Sequence, residues 1–569
     1  MGKWIKIIWL IVTMLWVAGC GAHASPELAV STTPPTLTSL RPQVASPGPP
    51  YKPRGTPTIA SPVASETIAR PTFTPSAPPA ATPQVLTVVP TATVTPERPA
   101  LSSTPATTRD VPAFTPTVTD ALDAPVVSPS ASPIPQPSPT PVPAATVAVW
   151  EGTITLNSYD WERALVETTP DDPIYPYPRL DREQIGPLAP RSYRTVVLEN
   201  AYARLTLLPE MGGRLYRWLD KTSGQELFYV NPVLKPTHWG ARGWWLAVGG
   251  MEWALPVDEH GLVEWRPWHT QIARGGDWAS VTLSDRDDRT GLAVEVTVML
   301  EAGRSYVTVR PRVYNPTETE QRYQFWLNGM FALSPDNRPG PDLCFTLPSP
   351  SVTVHSTSDG GLPGVGAEMS WPVYSGRDLS RYGNWAGWLG IFARPAAAAN
   401  YMGAYDASSG MGVARVFPAA IARGAKVFGP VGIDPGIWTD DGSGYVELWG
   451  GLTPTFWDYT ALPPGGSVGW QERWYSLGGL GGLSYANDDA ALWLAPDAAE
   501  VRLGALTTAP HKGQLVLWHD GQVVANWVIA TAPGYPFRTV YPLGGDGAWG
   551  LQLLDSYGQP IAAYGRVGD

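Results

Sequence analysis

Glu252 and His260 are titratable residues in a stretch rich in tryptophan and glycine, GWWLAVGGMEWALPVDEHG (residues 243–261). A histidine can act as acid or base near neutral pH, and a carboxyl group between apolar neighbours can have a raised pKa that suits the same work. Two glycines at 249–250 let the backbone approach a ligand closely, and Pro256 limits strand pairing nearby. The stretch therefore predicts a loop at the mouth of a ligand site. The alternative is a tight turn in which both side chains only bond the backbone.

Four further polar residues are candidates for substrate contact. Arg214 in GGRLYRW and Arg242 in GARGWW carry guanidinium groups, which can fork onto vicinal hydroxyls or a uronate. A structural ion pair is the alternative for each arginine. Asn328 and Asp458 each lie near a tryptophan, which is the pattern of a polar group beside a stacking face.

Tryptophan is unusually abundant, with 26 in the chain. An indole offers a flat apolar face and one N–H donor, so it can stack on the C–H face of a sugar ring. Most of these side chains are expected in the core. Trp245, Trp268 and Trp457 are predicted at a carbohydrate-binding surface because they lie near polar residues.

Several other kinds of site are disfavoured by the sequence. The net charge of −11 and the lack of a Lys/Arg cluster argue against nucleic acid. No histidine pair has ligand spacing on one element, so no metal or other cofactor is predicted, although calcium held by carboxylates stays open. No glycine-rich phosphate loop that opens a helix is found in the sequence, so nucleotide binding is not predicted.

Alternating apolar and polar residues predict β-strands almost throughout the region that must position these groups. Residues 292–300 and 307–313 form a predicted hairpin with one dry and one wet face, around the turn 301–304. Similar runs occur at 195–198, 203–208, 280–284, 321–331, 385–392 and 445–449. The pattern predicts an all-β protein with a large antiparallel sandwich and, after a boundary near residues 477–484, a small C-terminal β-sandwich.

The N-terminal quarter has a different composition. Residues 1–19 read as a signal peptide that ends in Val17-Ala18-Gly19-Cys20, which resembles the lipobox of bacterial lipoproteins and implies acylation of Cys20. Residues 20–146 read as a disordered Pro/Thr/Ser-rich stalk, since 29 of the 62 prolines lie there. The predicted domains are then 147–478 and 479–569, on a protein held by lipid at the outer face of a membrane.

Four segments occur in an order that resembles an uncharacterised bacterial domain family of the galactose-mutarotase-like superfamily. They are 209–229, 243–256, 324–331 and 445–459. The resemblance implies a supersandwich, two large antiparallel sheets with a concave carbohydrate-binding face. It aligns Glu447 with the mutarotase base. It also aligns Gly329 and Val248 with the two mutarotase histidines, so the usual acid–base pair is not expected.

Three functions follow from these observations. The first is a surface-anchored lipoprotein that binds poly- or oligosaccharide in the concave cleft. The second is a carbohydrate-active enzyme, epimerase-like or glycoside-cleaving, that uses Glu447 with Glu252 or His260, since two carboxylates are the minimum for glycosidic cleavage. The third is a non-catalytic structural protein of the envelope.

Overall fold

A computed structural model of the protein describes residues 146–257, 259–394 and 399–568. The predicted signal peptide, the lipidation site at Cys20 and the stalk up to residue 145 lie outside the described residues. The described residues include four short 3-10 helices: Glu162–Ala164, Arg182–Gln184, Tyr382–Asn384 and Pro435–Ile437. No helix in the described ranges has the length and apolar character needed to cross a membrane.

The first half of the described chain contains strands β1 to β16. Their bounds are β1 (Ala148–Asp160), β2 (Leu165–Val166), β3 (Arg179–Leu180), β4 (Gly186–Glu199), β5 (Ala203–Leu208), β6 (Arg214–Asp220), β7 (Gln225–Glu226), β8 (Val230–Pro236), β9 (Leu246–Gly249), β10 (Met251–Ala254), β11 (His269–Arg274), β12 (Trp278–Arg286), β13 (Ala293–Glu301), β14 (Val307–Tyr314), β15 (Gln321–Tyr323) and β16 (Trp326–Phe331).

The second half contains strands β17 to β37. Their bounds are β17 (Leu343–Thr346), β18 (Ser351–Thr357), β19 (Glu368–Ser370), β20 (Val373–Tyr374), β21 (Arg377–Asp378), β22 (Leu389–Arg394), β23 (Tyr401–Asp406), β24 (Met411–Val416), β25 (Gly424–Gly429), β26 (Val446–Gly451), β27 (Thr460–Leu462), β28 (Ser467–Gly469), β29 (Glu472–Ser476), β30 (Tyr485–Ala486), β31 (Ala490–Pro496), β32 (Val501–Thr507), β33 (His511–His519), β34 (Gln522–Thr531), β35 (Phe537–Tyr541), β36 (Trp549–Asp555) and β37 (Pro560–Gly565).

Two large sheets make up the main body. One has 14 strands in the order β19-β18-β22-β25-β26-β16-β10-β6-β5-β4-β1-β8-β9, with β7 beside β6. The other has nine strands in the order β11-β12-β13-β14-β29-β24-β23-β17, with β28 beside β14. A continuous apolar core from both sheets lies between them, so the all-β fold and the large antiparallel sandwich are confirmed.

The C-terminal strands form a second, smaller sandwich. Its sheets have the orders β30-β31-β32-β35 and β34-β33-β36-β37. A separate apolar core fills the space between them. A third apolar cluster, which includes Tyr401, Tyr475, Leu480 and Leu506, joins this small sandwich to the nine-stranded sheet.

Strand alternation gives the 14-stranded sheet two different faces. On β16, β26 and β25, Leu327, Leu448 and Val427 point into the core between the large sheets. Their neighbours Asn328, Glu447 and Lys426 therefore point to the opposite face. The outer face of the 14-stranded sheet, so defined, carries the polar groups considered next.

Candidate functional site

A row of polar side chains crosses five adjacent strands on the outer face of the 14-stranded sheet. Arg214 lies on β6, Glu252 on β10, Asn328 on β16, Glu447 on β26 and Lys426 on β25. Glu252 is paired directly with Asn328, and Met330 on the same face is paired with Glu447. The sheet thus gathers residues that are more than 200 positions apart in sequence into one cluster.

Glu252 is buried and accepts four hydrogen bonds. Its Oε2 accepts from Arg214 Nη2 at 2.8 Å and from Trp245 Nε1 at 3.0 Å. Its Oε1 lies 2.6 Å from His260 Nδ1 and accepts from Asn328 Nδ2 at 3.0 Å. A carboxylate has about four lone-pair positions, so no position of Glu252 is left for a substrate. Glu252 is consequently a positioning group.

His260 is held in one orientation by Glu252 and Trp245. Its ring stacks on the Trp245 indole with centroids 3.9 Å apart and an interplanar angle of 17°. Because an ionised Glu252 can only accept, Nδ1 carries the proton of the 2.6 Å bond. No described residue makes a hydrogen bond with Nε2, and the side chain is 9% exposed. Nε2 is therefore the nitrogen of His260 that can meet a ligand.

Asn328 joins the two carboxyl groups of the site. Its Nδ2 donates to Glu252 Oε1 and, at 3.2 Å, to Glu447 Oε1. Its Oδ1 is buried, and no described residue donates to it. A buried acceptor without a donor calls for a water or a ligand hydroxyl.

Glu447 is held from its other side by an indole and an amine. Trp449 Nε1 donates to Glu447 Oε2 at 2.7 Å, and Lys426 Nζ lies 3.9 Å from the same oxygen. Lys426 Nζ also lies 4.6 Å from the centre of the Trp449 ring and 4.7 Å from that of Phe456. The Glu447 side chain is 5% exposed, so it and His260 form the accessible edge of the cluster.

The two carboxyl groups have different protonation behaviour. Burial alone would raise the pKa of Glu252, but the charges of Arg214 and His260 and the donated hydrogen bonds lower it to about 2. Burial raises the pKa of Glu447 above its ordinary value, despite the opposing charges of Lys426 and His260. Burial also lowers the pKa of His260, but the charge and hydrogen bond of Glu252 outweigh this effect and raise it overall. Paired groups with pKa values pushed apart are typical of acid–base sites.

The structure brings six of the predicted site residues together and leaves four outside the cluster. The six are Arg214, Trp245, Glu252, His260, Asn328 and Glu447. Together with Lys426 and Trp449 they are called the acid–base cluster below. Of the others, Arg242 is buried in an ion pair with Glu264 and packs its guanidinium 4.0 Å from the centre of the Trp244 ring. This geometry is the structural ion pair that was the alternative for Arg242.

Trp268 and Asp458 have structural surroundings. The Trp268 side chain belongs to the core between the large sheets, is 3% exposed, and donates from Nε1 to the Val263 carbonyl at 3.1 Å. Asp458 Oδ2 accepts from the backbone N–H and the hydroxyl of Thr455, at 3.1 Å and 2.8 Å, and so closes a turn. The core occupies the Trp268 indole, so it is not available as a substrate contact in this conformation, whereas Asp458 is exposed and uses only Oδ2 in the turn.

Trp457 lies apart from the acid–base cluster but on the same face. It is 40% exposed, and its ring centre is 5.5 Å from that of Phe392 and 6.1 Å from that of His355. Phe392 is paired with Lys426 across β22 and β25. Trp457 therefore offers an open aromatic face at one end of the polar row.

Gly329, which the resemblance aligns with a mutarotase histidine, does not face the site. Gly329 is paired with Met251 and Leu448, and a Cβ there would lie 2.6 Å from the Phe331 ring. Because alternate residues face opposite sides, the residue of β16 that faces the site is Asn328. Val248 is packed in an apolar cluster with Trp244 and Leu246.

Two residues of the cluster were missed in the sequence. Trp449 lies two positions after Glu447 in the same strand, so its presence on the same face could have been inferred from strand alternation. Lys426 is a single charged residue in the apolar strand GAKVFG. A buried lysine in such a strand requires a partner, and this requirement was the available signal.

The sequence model of a protein family described as a domain of unknown function (DUF5107) matches residues 170–457. A second family model, described as the second domain of a YphG-like protein, matches residues 485–564. The first match contains the whole acid–base cluster, and the second covers the small C-terminal sandwich.

Among solved structures, a TPR-domain containing protein from Parabacteroides distasonis is similar, with a TM-score of 0.51 and 24% identity over 58% of this chain. The similar region spans 55% of that protein, about half its length. A galactose mutarotase-like protein from Clostridium acetobutylicum is 12% identical, with a TM-score of 0.35, over 50% of this chain and 95% of that one. A galactose mutarotase related enzyme from Lactobacillus acidophilus is 10% identical, with a TM-score of 0.35, over 50% and 97%.

Proposed function

The chain belongs to the DUF5107 family, and we propose that its acid–base cluster binds carbohydrate on the outer face of the 14-stranded sheet. The observation that carries this proposal is the convergence of His260, Glu447 and the unpaired Asn328 Oδ1 at one edge lined by indoles. Sugar hydroxyls both donate and accept, so they match this mixture of groups. The mutarotase-related proteins of similar structure are in keeping with a sugar ligand.

Trp457 extends the proposed site beyond a single sugar. Its open ring can stack on a neighbouring unit of a chain while another unit occupies the edge formed by His260 and Glu447. A poly- or oligosaccharide is therefore the expected ligand class.

Binding is tested with the full chain by affinity electrophoresis through gels that contain soluble polysaccharides. We expect retardation by at least one polysaccharide, and its loss in His260→Gln. The matched control is His269→Gln, since His269 is exposed on β11 of the other large sheet. If no polysaccharide retards the protein, or both histidine variants behave as the wild type does, the proposal is wrong.

A second candidate function, a carbohydrate-active enzyme, is favoured by the protonation of the cluster. The charge and hydrogen bond of Glu252 outweigh burial and raise the pKa of His260, which favours its cationic form. That form can donate a proton from Nε2 to a ring oxygen, while Glu447 can accept one from an anomeric hydroxyl. The raised pKa of Glu447 makes it a better base than an ordinary glutamate. Since all four lone-pair positions of Glu252 are filled, the acid–base pair in this mechanism is His260 with Glu447, and two-carboxylate cleavage through Glu252 loses support.

Anomeric proton NMR tests this second function. Exchange between the anomers of an added aldose should be faster with the wild type than with Glu447→Gln. Glu295→Gln is the control, because Glu295 is exposed on β13. Equal exchange rates for the wild type and Glu447→Gln, with no new reducing ends from oligosaccharides, would exclude catalysis by this pair. A purely structural envelope protein is not favoured, because such a protein would be expected to present an apolar groove without convergent polar groups.

We also propose that the protein is held at the outer face of a membrane through acylated Cys20. The support is the Val17-Ala18-Gly19-Cys20 motif after an apolar run. Cells given an alkyne-labelled fatty acid should label the wild type and not Cys20→Ala. Equal labelling of both would remove the anchor from the proposal.

A further inference from the structure

A cleft of about 680 Å³ lies where the small C-terminal sandwich meets the nine-stranded sheet. It is lined on one side by Tyr401, Gln471 and Arg473, and on the other by Tyr485 and Asp488. Its volume is in the range of small-molecule sites, which often lie between domains. The cleft involves none of the residues of the acid–base cluster.

The charged residues that line the cleft are all paired. Arg473 is paired with Asp488, and Arg304 lies 3.0 Å from Asp489, both across the boundary between the two sandwiches. Glu472 is paired with Arg415 in the interior. A charged ligand would have to displace one of these pairs, so the cleft favours a neutral ligand.

Two amide groups of the cleft have fixed orientations and spare donors. Asn400 Oδ1 accepts from the Ala419 N–H at 3.1 Å, and Gln471 Oε1 accepts from Arg310 Nε at 2.7 Å. Because the oxygen of each amide accepts one of these bonds, the other terminal atom of each side chain is its NH2 group. Neither NH2 group donates to a described residue. In addition, Arg473 Nε is buried without a partner among the described residues. The cleft therefore holds donors that the protein itself does not satisfy.

Aromatic rings supply an apolar surface beside these groups. Tyr401 and Tyr485 have ring centres 5.3 Å apart at an angle of 64°. Tyr401 is buried and anchored by its hydroxyl, which donates to the Ser484 carbonyl at 2.8 Å. Tyr485 is half-buried, which leaves part of its ring open.

We propose that this cleft is a second binding site, specific for a neutral oligosaccharide. Open aromatic surface, unsatisfied amide donors and the lack of an unpaired charge among its described residues fit a polyhydroxylated neutral ligand better than an ion or an apolar molecule. The inference does not depend on the acid–base cluster, and either site can exist without the other.

Isothermal titration of the full chain with maltotetraose, cellotetraose, xylotetraose and mannotetraose tests the second site. The titrations use the Glu447→Gln variant, which impairs the acid–base cluster. Binding at the cleft is then measured separately from binding at that cluster. We expect binding of at least one tetrasaccharide, with at least tenfold loss of affinity when Asn400→Ala and Gln471→Ala are added. The control adds Gln514→Ala and Asn526→Ala, an exposed amide pair joined by a 3.0 Å bond on the small sandwich.

Hydrogen exchange provides a second measurement. The bound tetrasaccharide should slow exchange of the amides at 399–401 and 485–489. Three results would overturn the proposal: no binding of any tetrasaccharide, loss of affinity below twofold in the cleft variant, or stronger binding of tetragalacturonic acid than of every neutral probe.

Discussion

Replacement of Glu252 by glutamine should lower the free energy of unfolding by about 3 kcal/mol near pH 6. An ordinary glutamate titrates near 4.5, whereas Glu252 titrates near 2 in the folded protein. At about 1.4 kcal/mol per pKa unit, the ionised carboxylate stabilises the fold by about 3 kcal/mol. Glutamine keeps the shape of the side chain but removes this charge and turns one acceptor into a donor beside Arg214 or His260. Loss of one member of a buried ion pair costs a similar amount, about 3–5 kcal/mol.

The pH dependence makes this prediction specific. Since the folded pKa is below the unfolded one, the stabilisation is complete above pH ~4.5 and is lost as pH falls through ~2. The difference in the free energy of unfolding between the wild type and Glu252→Gln should therefore fall, by about pH 3, to less than half of its value at pH 6.

Urea unfolding followed by tryptophan fluorescence from pH 3 to pH 7 measures this difference. The control is Glu162→Gln, because Glu162 forms an exposed pair with Arg191 at 2.7 Å and its loss should cost less than about 1 kcal/mol. A difference below about 1 kcal/mol for Glu252→Gln at pH 6, or one that is the same at pH 3 and pH 6, would refute the reasoning.

Three other predictions concern further groups of the protein. An NMR titration of His260 should give a pKa above 6.5, and this pKa should move down in Glu252→Gln. The contribution of His260 to the free energy of unfolding should be present below pH 6.5 and lost as pH rises through its pKa in the folded protein. An unmoved pKa would contradict the coupling of His260 to Glu252. Trp457→Ala should weaken polysaccharide binding with little change in the free energy of unfolding, because Trp457 is exposed. Trp268→Ala should lower the free energy of unfolding by about 3–5 kcal/mol in urea, because Trp268 is buried. Similar stability losses in the two variants would contradict this difference in exposure. Arg415→Met should lower the free energy of unfolding by about 3–5 kcal/mol, because it leaves Glu472 buried and unpaired. Arg415→Met/Glu472→Leu should recover most of this loss. A double variant as unstable as the single one would count against this account.

Much of the fold follows from strand alternation. The predicted run 203–208 is a strand with the same bounds, and the predicted hairpin 292–313 is the pair β13–β14. The run 321–331 is divided instead into β15 and β16. Between them the Gln324 N–H donates to the Pro256 carbonyl at 2.8 Å, a contact with a distant loop that no local pattern indicates.

The site could be predicted only as a set of separate candidates. Glu252 and His260 are visible as polar residues in an apolar stretch, but their relation to Glu447 depends on the order β10-β16-β26 in the sheet. The choice among tryptophans was less successful. Trp268 and Trp457 have similar polar neighbours in sequence, and their different exposure is decided by which side of a sheet or loop each indole covers.

The polar row also determines how its strands align. A slip of β10, β16 or β26 by one residue would turn Glu252, Asn328 or Glu447 into the apolar layer between the large sheets and expose a core residue in exchange. Each such error would bury an unpaired polar group at a cost of several kcal/mol. Apolar strands of similar composition could otherwise pair in several registers. The polar row that contains the proposed ligand contacts therefore also makes one alignment of the central strands much more stable than its neighbours.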